Sequence, residues 1–207
     1  MRSDVFPIGL KLDGKLCLVV GTGEEADRRT RALLAAGAHV RLVSESPSEI
    51  AEQLASGGEL TLHRRAFEDA DVEGAWLAVY TDLDVAVASR IQASTEARRV
   101  FFCAVDRPAQ SSYSHLASLK AGPLTAAFST DGRAPVLARK LRDELARVFD
   151  EAGLGEFAER LAALRDRTPP AERRAVLGDA VLGVRFEGRL VVRTDEDSGG
   201  SIGRNSP

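Results

Sequence analysis

The sequence predicts an α/β protein built on a parallel sheet, and three observations predict it. Short, nearly continuous apolar runs alternate with helix-length segments through the first half of the 207 residues. The connections between those runs are long enough to be crossover helices, which parallel strands require. The first clear run ends in Gly21-Thr22-Gly23, where such sheets place a ligand-binding loop.

Each element follows from its pattern. Lys15–Val20 is apolar almost throughout, as in a strand covered on both faces. The segment from Glu24 sets Ala26, Thr30, Leu33 and Leu34 on one helical face, and Gly37 stops it. Residues 39–44 read as a second strand, 47–58 as a helix ending in Gly-Gly, and 59–66 as an alternating third strand. Residues 74–81 form a buried strand, 84–98 a helix and 100–105 a further strand. The character then changes. A segment of Pro, Gln, Ser and Tyr precedes a strand within 121–130. A long amphipathic helix over 134–153 follows, with Pro135 in its first turn. Helices at 155–167 and 171–180 are separated by Pro169-Pro170, and "VRFEGRLVV" has the alternation of a hairpin. These patterns predict a nucleotide-binding domain over 1–112, a strand-plus-helix segment over 113–150, a C-terminal helical unit over 151–194 and a disordered tail over 195–207.

Composition narrows the function classes. A formal net charge of -3 gives no electrostatic case for nucleic acid, and no basic stripe is interleaved with aromatics. No apolar run nears the roughly 20 residues that span a bilayer, and the N-terminal stretch lacks a signal-peptide core, so the expected location is cytoplasmic, with no membrane partner. Cys17 and Cys103 lie in apolar runs and read as buried free thiols. No CxxC or HxxxH spacing predicts a metal site.

Gly21-Thr22-Gly23-Glu24-Glu25-Ala26 fits GxGxx(G/A) between a strand and a helix, the fingerprint of a Rossmann-like dinucleotide site. Gly21 permits the tight turn, Gly23 lets the backbone approach a pyrophosphate, and Ala26 lets helix and strand pack closely. The helix N-terminus adds unpaired N–H groups and the positive end of its dipole. Glu45 follows the second strand at the separation expected of a ribose-binding carboxylate, and it would repel a 2′-phosphate, so NAD is the expected cofactor. Ser44 or backbone groups could serve the ribose instead, with Glu45 a solvated loop residue.

At this point the sequence resembles a family. "FPIGLKLDGKLCLVVGTGEEADRRTRALLAAGAHVRLVS", "HRRAFEDADVEGAWLAVYTD", "CAVDRP" and "GPLTAAFSTDGRAPVLARKLRDEL" together resemble precorrin-2 dehydrogenases, the NAD-dependent enzymes of siroheme synthesis, some of which are also sirohydrochlorin ferrochelatases. The likeness runs over about residues 6–165 and lacks the family's fused methyltransferase domain. Cys103 and Val87 stand where Asn is common, and Asp131 replaces the first Gly of a Gly-Gly pair.

The resemblance implies oxidation of precorrin-2 to sirohydrochlorin, a homodimer formed by a mostly helical unit after the nucleotide domain, and a catalytic aspartate at Asp106. The residue types agree with that chemistry. Asp106 follows the apolar run 100–105, at a strand's carboxyl end, although an Asp before Pro108 is also a common turn former. Thr81 and Asp82 end another strand, where Asp82 suits either the nucleotide crevice or the cap of the next helix. Ser129, Thr130 and Arg133 precede the long helix and fit either a substrate carboxylate or N-capping. Two further readings stand beside the leading one: a bifunctional dehydrogenase and ferrochelatase, or a non-catalytic NAD- and tetrapyrrole-binding protein.

Overall fold

A computed structural model describes residues 5–188 and 191. Five parallel strands carry the architecture: β1 (Leu16–Val20), β2 (His39–Val43), β3 (Leu60–His63), β4 (Leu77–Tyr80) and β5 (Phe101–Ala104), in the order β3-β2-β1-β4-β5. The strand order reverses direction between β1 and β4, which opens a crevice at their carboxyl ends. Helices α1 (Gly23–Ala35), α2 (Glu49–Ser56) and α3 (Val85–Arg98) form the crossovers with a short 3-10 turn at Asp69–Val72. The Rossmann-like prediction therefore holds.

Period-two alternation in β1 shows why both faces are covered. Cys17 and Val19 join Ala26, Leu33 and Ala51 in the core on one side. Leu18 and Val20 join Val72, Ala88, Ile91 and Phe102 on the other. Two polar details tie crossovers together. Ser48 caps α2 by accepting from Ala51 N at 3.0 Å, and its hydroxyl donates to the buried Asp27 of α1 at 2.7 Å. At the sheet edge, Ser111 and Ser112 hydroxyls accept from Ala104 N and Phe102 N at 3.0 and 2.8 Å, satisfying donors on the outer side of β5.

Beyond β5 the structure corrects the reading of 121–130 as a lone strand. It is half of a two-stranded sheet in which β6 (Ala117–Ala121) pairs with β7 (Leu124–Phe128) around Gly122-Pro123. The β6 sequence ASLKA hid its strand because one serine and one lysine blur its alternation. Three helices follow: α4 (Pro135–Glu151), α5 (Leu154–Arg167) and α6 (Arg173–Val181). The chain divides into two compact units. One holds residues up to Leu119 with Ala126–Leu145, the other Lys120–Thr125 with the chain from Ala146 onward. In the second unit α5 packs against α6, and Arg173 Nε donates to the Arg165 and Thr168 carbonyls at 3.2 and 3.0 Å. Gly122 sits against Gly155: a Cβ on it would lie 2.6 Å from the Gly155 carbonyl oxygen. Val184–Gly188 forms no strand, so the described part of the predicted hairpin is absent. Its remainder, apart from Val191, and the predicted tail lie outside the described residues. Among the described residues, no helix is long and apolar enough to cross a membrane.

Candidate functional site

The glycine loop leaves β1 at the reversal of strand order. Gly21 has φ +141, and a Cβ there would lie 2.1 Å from Thr81 Oγ1 and 2.9 Å from Asp82 Oδ1. Its missing side chain therefore lets the loop close against the end of β4. Gly23 has φ +69 with nothing within 4 Å of a would-be Cβ, so the requirement there is conformational, and the space beside it is open. Ala26 is buried among Val19 and Leu33, which fits its expected packing role rather than a direct ligand contact.

Asp82 does not cap α3. Asp84 does, accepting from Ala86 N at 2.7 Å and Val87 N at 3.0 Å. Asp82 instead reaches the glycine loop, where Oδ1 accepts from Thr22 N at 2.9 Å and Thr22 Oγ1 at 3.1 Å. This braces the loop. It also occupies one backbone donor and adds a negative charge beside the remaining first-turn N–H groups of α1.

A cleft of about 230 Å³ opens here, lined by Gly21, Thr22, Ser44, Glu45, Asp82 and Val87 among others. Ser44 is 3% exposed and its hydroxyl has no hydrogen-bond partner among the described residues. A buried, unpaired hydroxyl beside an exposed carboxylate, that of Glu45, fits the hydroxyl-rich adenosine half of a dinucleotide. Val87 packs on the core and supplies apolar wall. Sequence reasoning missed two arginines of this cleft, Arg65 and Arg90. Arg65 forms a two-point ion pair with buried Asp71 at 2.7 and 2.8 Å, and Arg90 pairs with Asp69 at 3.1 Å. Burial acts to raise the Asp71 carboxyl, but the Arg65 guanidinium and the Glu68 amide prevail and hold it below its usual range. No local signal marked Arg65, because its partner lies six residues away across a turn.

Glu24 is exposed on the first turn of α1, and Glu25 turns along the helix instead of toward the loop. Its carboxylate accepts from Arg28 Nε at 2.8 Å, Arg28 Nη2 at 2.6 Å and Arg29 Nε at 2.8 Å. Partial burial would raise the Glu25 carboxyl, yet these two guanidiniums hold it below the usual value. Glu25 thus orients arginines. Both line a second cleft, of about 270 Å³, with His115, Ser129, Thr130, Arg139 and Arg142. Four arginines and two hydroxyls line it; Glu25 pairs with Arg28 and Arg29, and Asp143 with Arg142 at 2.7 Å, so the remaining guanidinium donors suit an anion. The arginines of α1 were not expected there, since nothing in their helical spacing ties them to residues a hundred positions on.

Ser129 Oγ accepts from Asp131 N, and Thr130 Oγ1 accepts from Ala134 N, both at 3.1 Å. Thr130 therefore supports the start of α4, while each hydroxyl keeps its own O–H to donate. Arg133 is exposed and does not line this cleft. Asp131 has φ +53 and Gly132 φ +70, a left-handed turn that glycine and the short Asp side chain both tolerate. Partial burial pushes His115 down to about 4, helped by Arg29 and Arg28 and opposed by Glu25, although part of the ring stays open to solvent. Its Nε2 lies 3.3 Å from the Tyr113 hydroxyl, and burial raises the pKa of that tyrosine.

Asp106 stands at the carboxyl edge just after β5, exposed and with φ +59. A turn closed by Arg107 N on Ala104 O at 3.1 Å presents it, and it lines neither cleft. Cys103 behind it is buried, and burial raises its thiol. Cys17 is likewise fully buried and pushed up to about 11.

Comparison with known proteins bears on the family and the fold. A family described as putative NAD(P)-binding matches residues 8–115. A siroheme synthase of Citrobacter koseri is 36% identical over 164 residues, covering 79% of this chain and 36% of the relative. Siroheme synthase 3 of Aeromonas hydrophila subsp. hydrophila is 34% identical over 205 residues, covering 96% and 43%. The chain thus spans well under half the length of these relatives. Among solved structures, "SirC, precorrin-2 dehydrogenase" matches in fold with a TM-score of 0.72 at 21% identity, over 86% of this chain and 89% of that one.

Proposed function

The chain belongs to the putative NAD(P)-binding family, and from that premise we propose that it is an NAD-dependent precorrin-2 dehydrogenase of siroheme synthesis. The observation that carries this reading is the double use of α1. Its first residues form the dinucleotide loop, and one turn later Arg28 and Arg29 line an anion receptor with Ser129 and Thr130. Precorrin-2 is a polycarboxylate, and a cofactor site joined through one helix to a guanidinium-rich cleft is what its oxidation requires. The siroheme synthase relatives support the same substrate.

When bound, the nicotinamide ring supplies the hydride acceptor. The chain's own residues do the rest. Gly21, Thr22, Gly23 and the N-terminus of α1 receive the pyrophosphate, while Ser44 and Glu45 take the ribose hydroxyls. Thr81 and Asp82 brace the loop, and Glu24 marks its exposed rim. Arg28, Arg29, Arg139 and Arg142 bind substrate carboxylates, with Ser129 and Thr130 donating hydroxyl hydrogen bonds. Arg133, exposed on the same turn, meets carboxylates that extend beyond the cleft. Asp106 is the carboxylate that accepts a proton from the macrocycle as hydride leaves, its left-handed turn holding it clear of the sheet. The protein works as a homodimer in the cytoplasm, where thiols such as Cys17 and Cys103 stay reduced.

Incubation with precorrin-2 and NAD, with and without Fe²⁺, tests the reading. Sirohydrochlorin absorbance is expected in both. Siroheme formed with iron would add the ferrochelatase activity, and cofactor binding without either product would leave a binding protein and refute the enzyme. Asp106→Ala should lower turnover by about 10²- to 10⁴-fold while sparing NAD affinity; unchanged turnover would remove Asp106 from its role.

A further inference from the structure

The adenosine-side cleft contains a guanidinium whose hydrogen-bonding edge is already occupied. Arg65 has five N–H donors. Its Nη1 donates to Asp71 Oδ2 at 2.8 Å and to the Ala66 carbonyl at 2.9 Å. Its Nη2 donates to Asp71 Oδ1 at 2.7 Å and meets His63 Nδ1 at 3.0 Å. A guanidinium has no lone pair to offer, so His63 Nδ1 accepts and the ring proton is assigned to Nε2. Only Nε–H is left over, 3.7 Å from Glu68 Oε1. The anchor is itself fixed. Asp71 is 2% exposed, accepts from Glu68 N at 2.8 Å, and its carbonyl receives Arg41 Nη1 at 2.6 Å. The plane of Arg65 is therefore set, while 34% of its side chain stays open and it lines the cleft with Ser44, Glu45 and Val87.

On the reading of this cleft as a dinucleotide site, we infer that Arg65 is the platform on which the adenine ring of NAD stacks, and that it gives no hydrogen bond to a 2′-phosphate. A flat, weakly hydrated cation with its terminal donors taken offers an aromatic ring its face. Exclusion of the 2′-phosphate then falls to the Glu45, Asp82 and Asp84 carboxylates on the same cleft. Arg90 is the countercharge there, and Asp69 neutralises it. Asp71 is a positioning residue that acts through Arg65.

Isothermal titration of the full chain with NAD, NADP and nicotinamide mononucleotide, which lacks adenine, tests this. Arg65→Leu should weaken NAD about tenfold, and Arg65→Lys, which keeps a cation for Asp71, roughly fivefold with a melting temperature near that of the parent. Nicotinamide mononucleotide affinity and the NAD-to-NADP ratio should not move. NAD affinity unchanged in Arg65→Lys would overturn the platform, even if Arg65→Leu fails to fold. A selective loss of NADP would overturn it in favour of a phosphate-binding arginine. A parent protein that binds neither dinucleotide would sink the NAD reading itself, and the platform with it.

Discussion

The sheet region and the region from Tyr113 onward treat their apolar residues in opposite ways. In the first, Cys17, Leu18, Val72, Ile91 and Phe102 are shut from solvent on the two faces of one sheet. Across residues 113–188, Leu119 and Ala138 are the only buried apolar residues among the described ones, and Val136, Leu137, Leu182 and Phe186 are each more than half exposed. A parallel sheet covered by its own crossovers completes its core within one chain. An amphipathic helix with an uncovered apolar stripe does not, and that unfinished surface supports the proposed homodimer.

Substitutions can break or sharpen this contrast. The largest stability effect is expected in the sheet: Leu18→Ala removes a fully buried side chain and should cost about 4 kcal/mol in urea unfolding. Gly21→Ala should come next, at about 2–3 kcal/mol, because its Cβ meets Thr81 Oγ1 at a φ unsuited to L side chains. NAD affinity measured on the same sample should fall with it.

The third test is pH. His115 is held at about 4, against about 6.5 in the unfolded chain, so the unfolded state binds the extra proton between those values. Stability from this group is fully present above about 6.5 and is lost as pH falls toward about 4. His115→Asn should flatten that acid limb in unfolding curves taken across the window; an unchanged limb would assign it to other groups. Leu137→Ala should move monomer stability least, by about 0.5 kcal/mol or less, yet weaken self-association in sedimentation. A loss as large as that of Leu18→Ala would erase the contrast between the regions.

Much of the site was legible from local pattern. Gly21 and Gly23 declared their turn, Ser44 and Glu45 their place after the second strand, and Ser129 and Thr130 the start of a helix. The departures have a common cause. Asp82 and Asp84 both follow a strand and both have the chemistry of a cap, and only the fold gives the cap to Asp84 and sends Asp82 to Thr22, 60 residues away. Glu25 lies in the predicted loop, and only the fold shows its carboxylate held by Arg28 and Arg29.

The sequence by itself determined the parallel sheet, its crossovers and the glycine loop, because backbone periodicity and the steric needs of glycine act over a few residues. Only the tertiary structure decided the β6–β7 pairing, the clamp on Arg65 and the gathering of Arg28, Arg29, Arg139 and Arg142 around one cleft. Hydrogen bonds and charges form between whatever side chains the folded chain brings within a few ångströms, and separation along the sequence carries no record of that distance.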